Sequence, residues 1–313
     1  MKKFVRVALL CVGLIVGLVM AELVLRAIPS NSTDRTATRV NMGEFTLQSL
    51  EMDKTLGFMP RLGEDSEYGL YGCLHNDYQE KKRPGTQRLL FVGDSVTHRG
   101  KIIRALQALY GDEKFEYWNA GVESFNTEQE AGLYERHNHE CAPDQVILTF
   151  HNNDFMATPI TFENDGKMEI FSPRHHQSMS PWLFKNSSLY RLWLRISLSG
   201  VQQESVESVK KNLSKLKNLV EADQAKFSVI LFPILKPYSE WSKREKDSRE
   251  QTLKILEELN IDFYDPWDEL SAAIESGVDL QEGENDHWHP NEKAAEIIAE
   301  HVKSRGIIES GGR

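Results

Sequence analysis

Gly93-Asp94-Ser95 closes an apolar run, and Asp286-His287-Trp288-His289-Pro290-Asn291 stands far downstream, just before a final amphipathic stretch. A serine hydroxyl is a weak nucleophile until a base removes its proton, and histidine is the usual base at neutral pH. The base needs a partner of its own, to hold one tautomer and to balance the charged form. Asp286 lies three residues before His289, so one turn of chain supplies both groups. His287 competes for the role of base, but it sits one residue from Asp286, a poorer spacing for a hydrogen bond between the side chains. Ser95 is therefore the candidate nucleophile, His289 the candidate base and Asp286 its partner. The serine does not sit in a G-x-S-x-G elbow, because Thr97 stands where that motif requires glycine. A Gly-Asp-Ser tripeptide taken alone is more often a turn than a site.

Acyl transfer also needs donors for a developing oxyanion. Asn119-Ala120-Gly121-Val122 and His151-Asn152-Asn153-Asp154 each follow an apolar run. Glycine lets its backbone N–H approach closely, and asparagine offers a side-chain amide. Either stretch would serve equally well as a plain loop. The remaining histidines, among them His137, His139, His175, His176 and His301, form no H-E-x-x-H or C-x-x-C pattern, so no metal is expected. Phosphate-binding glycine motifs are absent, so no nucleotide cofactor is expected either. Asp265 and Asp268 read as turn and cap residues.

These residues need strand ends to hold them. Leu89–Val92, Phe115–Trp118, Val146–Phe150, Phe227–Phe232 and Ile261–Tyr264 are continuous apolar runs of strand length, the pattern of strands buried on both faces. Helical spacing lies between them: Ile102, Ile103, Leu106 and Leu109, then Val206, Val209, Leu213, Leu216 and Val220, then Leu253, Leu256 and Leu259. Ala294, Ile297, Ile298 and Val302 mark a last helix, with Gly306 placed to end it. Thr127 and Glu130 are expected to form a capping box that starts another. The alternation predicts an α/β fold, a three-layer α/β/α sandwich around a five-stranded parallel, doubly wound (flavodoxin-like) sheet, with ligands at the carboxyl ends of the strands. The helix after Ser95 is expected to aim its N-terminus at the nucleophile. The long stretch between Phe150 and Phe227 breaks the alternation and reads as an insertion over 155–205, either a lid or cleft wall or an excursion on the sheet edge.

Four blocks, in order and at the right strand ends, resemble the SGNH (GDSL-like) hydrolase family. Phe91-Val92-Gly93-Asp94-Ser95 is similar to the first block, Asn119-Ala120-Gly121 to the second, Asn152-Asn153-Asp154 to the third, and Asp286 to His289 to the D-x-x-H block, followed here by Pro290-Asn291. The resemblance covers roughly 85–306. It implies a catalytic triad of Ser95, Asp286 and His289, and an oxyanion hole built from the Ser95 N–H, the Gly121 N–H and the Asn153 side chain. His151 stands where the third block usually has glycine. His98 and Arg99 make the run after the nucleophile more basic than in many members. The function implied is a serine-dependent hydrolase of carboxylic esters, with O-acetyl groups on an envelope or extracellular carbohydrate as the expected substrate. An O-acyltransferase using the same triad, and a non-catalytic carbohydrate-binding module on the same fold, are the alternatives.

Lys2, Lys3 and Arg6 precede an apolar stretch from Phe4 to Ile28, interrupted by Glu22 and Arg26. Its length and basic start predict a membrane anchor over 1–28, with the main domain extracytoplasmic; a cleaved signal is the other reading. Residues 29–60 read as a polar stalk that passes into an irregular lead-in up to 84, and 307–313 as a tail. The net charge of −10 argues against a nucleic-acid partner. Of the 3 cysteines, Cys73 and Cys141 fall in the exported part, where an oxidising compartment permits a bridge; two free, partly buried thiols are the other reading.

Overall fold

The computed structural model describes residues 2–27, 40–41, 49–75, 78–164, 167–171, 180–198, 206–306 and 308. They divide into two compact units: Gln48–Glu51, Met59–Met156 and Glu204–Arg313 in the larger, and Met1–Leu47, Met52–Phe58 and Ala157–Gln203 in the smaller.

The larger unit holds the predicted sheet. Its strands are β1 (Gln87–Gly93), β2 (Phe115–Gly121), β3 (Gln145–Phe150), β4 (Lys226–Leu231) and β5 (Asp262–Tyr264). All pair in parallel, in the spatial order β2-β1-β3-β4-β5. Side chains alternate across each strand. Leu90, Val92, Trp118, Val146, Leu148 and Val229 enter one core, beneath α2 (Thr127–Arg136), α3 (Val206–Ala222) and α4 (Lys243–Glu258). Leu89, Phe91, Tyr117, Ile147 and Ile230 enter the other, beneath α1 (Lys101–Tyr110), α5 (Trp267–Glu275) and α6 (Glu292–Ser304). The fold is therefore the three-layer α/β/α sandwich that the alternation predicts. Order reverses between β1 and β3, which opens a crevice at their carboxyl ends. Register brings the relevant ends level: Gly93 lies opposite both Gly121 and Thr149.

Two details differ from expectation, and a third concerns the cysteines, which the sequence left open between a bridge and free thiols. The capping box of α2 is one residue earlier than the sequence pattern suggests. Asn126 accepts from the Gln129 N–H at 3.0 Å, and the Gln129 side chain accepts from the Asn126 N–H at 3.3 Å. Asparagine caps as well as threonine, and this register leaves Thr127 and Glu130 for the interior. The helix after Ser95 is a single turn, Ser95–His98; the chain breaks at Gly100 (φ 68°) before α1 begins, so the aligned dipole near the serine is short. Cys73 and Cys141 are free thiols, both fully buried in the core that contains Trp118. Burial pushes both thiols up, Cys141 to about 12.

The far end of the expected stalk is ordered, with strands Leu50–Asp53 and Gly57–Pro60 and with Phe58 and Met59 buried. The lead-in then covers the edge of the sheet: Leu74 N–H donates to Asn119 O at 2.8 Å. In the smaller unit, the N-terminal helix Lys2–Ala27 contains a span, Phe4–Ala27, of mean hydropathy 2.7. That is long and apolar enough for a membrane anchor or a signal sequence. The insertion clusters with this helix. It holds a hairpin, Ile160–Asn164 with Lys167–Phe171, whose second strand also pairs with Val40–Asn41. Two helices follow, Pro181–Asn186 and Ser188–Leu198. His175 and His176 lie outside the described residues.

Candidate active site

Ser95 begins the single helical turn at the end of β1. Asp94 caps that turn, its Oδ1 accepting the Val96 N–H at 2.9 Å. Gly93 makes the bend possible. Its φ of 151° is rarely open to a side chain, and a Cβ there would lie 2.3 Å from Thr97 Oγ1.

The histidine arrives on a loop pinned at several points. Gln281 bridges to Pro290, and Glu282 N–H donates to His289 O at 3.1 Å. Asn291 caps α6 by accepting the Ala294 N–H at 3.0 Å, and its own amide donates to Asp279 O at 2.8 Å. His289 is thereby fixed two residues ahead of a helix N-terminus. Its Nε2 lies 2.9 Å from Ser95 Oγ. Its Nδ1 lies 2.7 Å and 2.9 Å from the two oxygens of Asp286. A proton on Nδ1 is required for those contacts, because a carboxylate only accepts. Nε2 then carries the lone pair and faces the serine hydroxyl. Partial burial draws the Asp286 carboxyl upward, but hydrogen bonds from His289 and the Trp288 N–H, with the Arg99 charge, outweigh it and hold the group below its ordinary value. His287 points elsewhere: its Nδ1 pairs with Gln281 Nε2 at 2.9 Å.

The other two blocks converge on the same place. A Cβ on Gly121 would lie 2.2 Å from the backbone N of His98, so only glycine allows β2 to pass so close behind the serine's turn. The Gly121 N–H donates to Asn119 Oδ1 at 2.9 Å, and the Asn119 amide donates to Thr97 O at 2.9 Å and His98 O at 3.2 Å. Asn119 thus ties the turn that carries Ser95 to the end of β2. The Asn153 amide donates to Asp94 Oδ2 at 2.5 Å. That nitrogen carries two hydrogens, so one remains for another acceptor. His151 is fully buried, and its Nδ1 donates to Phe232 O at 3.1 Å. Burial holds its imidazole below the ordinary value, hence neutral.

Sequence reading gave no site role to Asp94, Asn119 or Glu282, and gave Glu130 only that of a capping-box partner. Asp94 was legible as an aspartate heading a helix; the others are brought in by tertiary structure. Glu282 sits beside Asp286 and His289. It is ion-paired with Arg99 and, at 3.0 Å, with Lys101. Glu130 is fully buried on α2 next to Asp154. Burial raises both carboxyl groups well above the carboxylate range, and a proton on one lets it donate to the other. Asp154 Oδ2 already accepts the His151 N–H at 2.6 Å, while no donor reaches either Glu130 oxygen. Burial, with the Asp154 and Asp94 charges adding to it, drives the Glu130 carboxyl well above the carboxylate range. Glu130 therefore holds the proton.

No family model and no curated protein matches this sequence. Solved structures do. A catalytic mutant of Axe2, an acetylxylan esterase from Geobacillus stearothermophilus, is 13% identical, with a TM-score of 0.50 over 74% of this chain and 100% of its own. Another mutant of that enzyme, described as an acetyl-xylooligosaccharide esterase, is 14% identical over the same shares with the same TM-score. At such identities the likeness establishes the fold alone, a three-layer α/β/α sandwich.

Proposed function

We propose that the chain is a serine-dependent hydrolase of carboxylic esters, with Ser95, His289 and Asp286 as its catalytic triad. The observation that carries this reading is the unbroken line of hydrogen bonds from Ser95 Oγ through both ring nitrogens of His289 to Asp286. Ser95 Oγ attacks the acyl carbon as its proton passes to His289 Nε2. Asp286 balances the imidazolium. The tetrahedral intermediate collapses, the alcohol leaves with the proton from Nε2, and an acyl-serine remains. Water repeats the sequence: His289 takes its proton, the acid departs, and Ser95 is restored.

The oxyanion is held by the Ser95 N–H, which as the first of its helix has no intrahelical carbonyl, by the free hydrogen of the Asn153 amide, and by the Gly121 N–H, shared with Asn119 Oδ1. Asp94 aims Asn153 and caps the serine's turn together. The acyl group is acetyl and the alcohol a carbohydrate hydroxyl. The resemblance of the blocks and the acetylated substrates named for the similar enzymes support this. The N-terminal helix anchors the chain, and its basic start places the catalytic domain outside the cytoplasm.

A fluorophosphonate probe tests the nucleophile directly. The full chain in detergent should be labelled at Ser95, and S95A should not. The wild type should release acetate from acetylated xylo-oligosaccharides faster than longer acyl groups from matched esters. Labelling at another residue, or equal labelling of S95A, would sink the assignment; transfer to added sugar with no net hydrolysis would show an acyltransferase.

A further inference from the structure

Two charges interrupt the apolar N-terminal helix, and the hydrolase reading leaves both without a purpose. Glu22 and Arg26 are one helical turn apart and form an ion pair at 2.7 Å. Charges in a membrane-spanning segment are costly and mark a specific partner. That partner is the insertion. The Glu22 carboxylate accepts the Ser188 and Leu189 N–H groups, both at 2.8 Å, and the Ser187 hydroxyl at 2.9 Å. These are the donors at the start of the helix Ser188–Leu198, which have no intrahelical acceptor. Arg26 donates to Asn186 O at 2.6 Å, a carbonyl ending the preceding helix Pro181–Asn186. The pair therefore satisfies both sides of the break between the two insertion helices.

We propose that the N-terminal helix and the helix Ser188–Leu198 form one membrane-seated pair, in which Glu22 docks the insertion on the anchor and Trp182 and Trp193 lie at the headgroup level of the same bilayer. This rests on the anchor reading above and deepens it.

Depth is set by the chain. Glu22 lies five residues before Ala27, the last residue of the apolar span. At 1.5 Å per residue that is about 8 Å, at the boundary of hydrocarbon and headgroups. The span's apolar window has no protein cover among the described residues. The segment docked at this level carries amphipathic aromatic side chains, the type enriched at membrane interfaces. Trp182 is 70% exposed and Trp193 is 57% exposed. Tyr190 stacks on Trp193 with ring centroids 5.6 Å apart, making a flat aromatic surface beside the anchor. A helix capped by an anchor residue has to lie against the membrane that the anchor crosses, and an aromatic face suits that surface. It also follows that removing the N-terminal helix would strip the insertion helix of its cap.

The experiment uses the full chain in vesicles of phosphatidylglycerol and phosphatidylcholine, the latter brominated near the start of its acyl chains. Wild-type tryptophan fluorescence should be quenched, and W182F/W193F should lose most of that quenching. E22L keeps the span apolar, so the protein should stay in the vesicles. Its Ser188 and Leu189 amides should exchange hydrogen about ten- to a hundredfold faster, in line with loss of charge-assisted bonds, and the quenching should fall. A membrane-bound wild type whose Trp182 and Trp193 are unquenched, or an E22L variant with unchanged amide protection, would overturn this proposal while leaving the anchor intact. A soluble wild type lacking its N-terminal helix would overturn both.

Discussion

Replacing Glu130 by glutamine tests the buried proton behind the site. Glu130 and Asp154 share one proton inside the fold, held by Glu130 because Asp154 has a backbone donor and Glu130 has none. In the unfolded chain a glutamate titrates near about 4.3. The folded value is well above this, owing first to burial and then to the Asp154 and Asp94 charges. His151 adjoins the pair through its N–H to Asp154, with Asp94 and His289 near it, and its own burial holds its imidazole below the ordinary value. Above the unfolded value the folded chain binds one proton more than the unfolded chain. Stability supplied by this group is thus fully present in acid and is lost as pH rises toward the folded value. One proton bound only in the folded chain corresponds to a loss of about 1.4 kcal/mol per pH unit for as long as pH stays below the folded value. E130Q keeps a donor for Asp154 and carries no proton to lose, so it should lack this slope. Urea unfolding of the full chain in detergent, followed by near-ultraviolet circular dichroism at pH 5, 6 and 7, reads the difference. Wild-type stability should fall relative to E130Q at that rate. E130A should be less stable than either at pH 5, by about 2–4 kcal/mol, because it leaves a cavity and no side-chain donor for Asp154 Oδ1. Parallel pH curves for wild type and E130Q would refute the shared proton.

Other outcomes follow from the site. S95A and H289A should each nearly abolish ester turnover, with no further loss when combined, because the two act as a unit; H287A should stay close to wild type, since His287 engages Gln281 and not the serine. N153A removes the donor aimed by Asp94 and should cost on the order of 10²–10³ in kcat, with a smaller change in KM. G121A should lower the urea midpoint and the activity together, at a cost of about 1–3 kcal/mol or more, because its Cβ meets the backbone of Thr97 and His98 at 2.7 Å and 2.2 Å. Wild-type stability in G121A would show that the close approach of β2 does not position the serine.

Much of this protein can be read from local pattern. Apolar runs of strand length separated by helical spacing predicted a doubly wound sheet, because burial on both faces writes itself into consecutive residues. Ser95, His289 and Asp286 were legible because a nucleophile after a strand and a D-x-x-H turn before a helix are local features. Pro290-Asn291 then fixes the histidine through the cap of α6, again locally. What the chain could not announce depends on contacts between distant segments. Glu130 looked like half of a helix cap, but a helix starting at Asn126 turns it inward onto Asp154. The Gly121 N–H looked free, yet the fold of its own block turns it toward Asn119 Oδ1. Asp94 gained its second role only when the turn after β3 arrived beside it. Glu22 read as a flaw in an apolar helix; the start of a helix more than half the chain away makes it a cap. A side chain's type states which bonds it can form, and only the tertiary structure decides which partner comes within 3 Å.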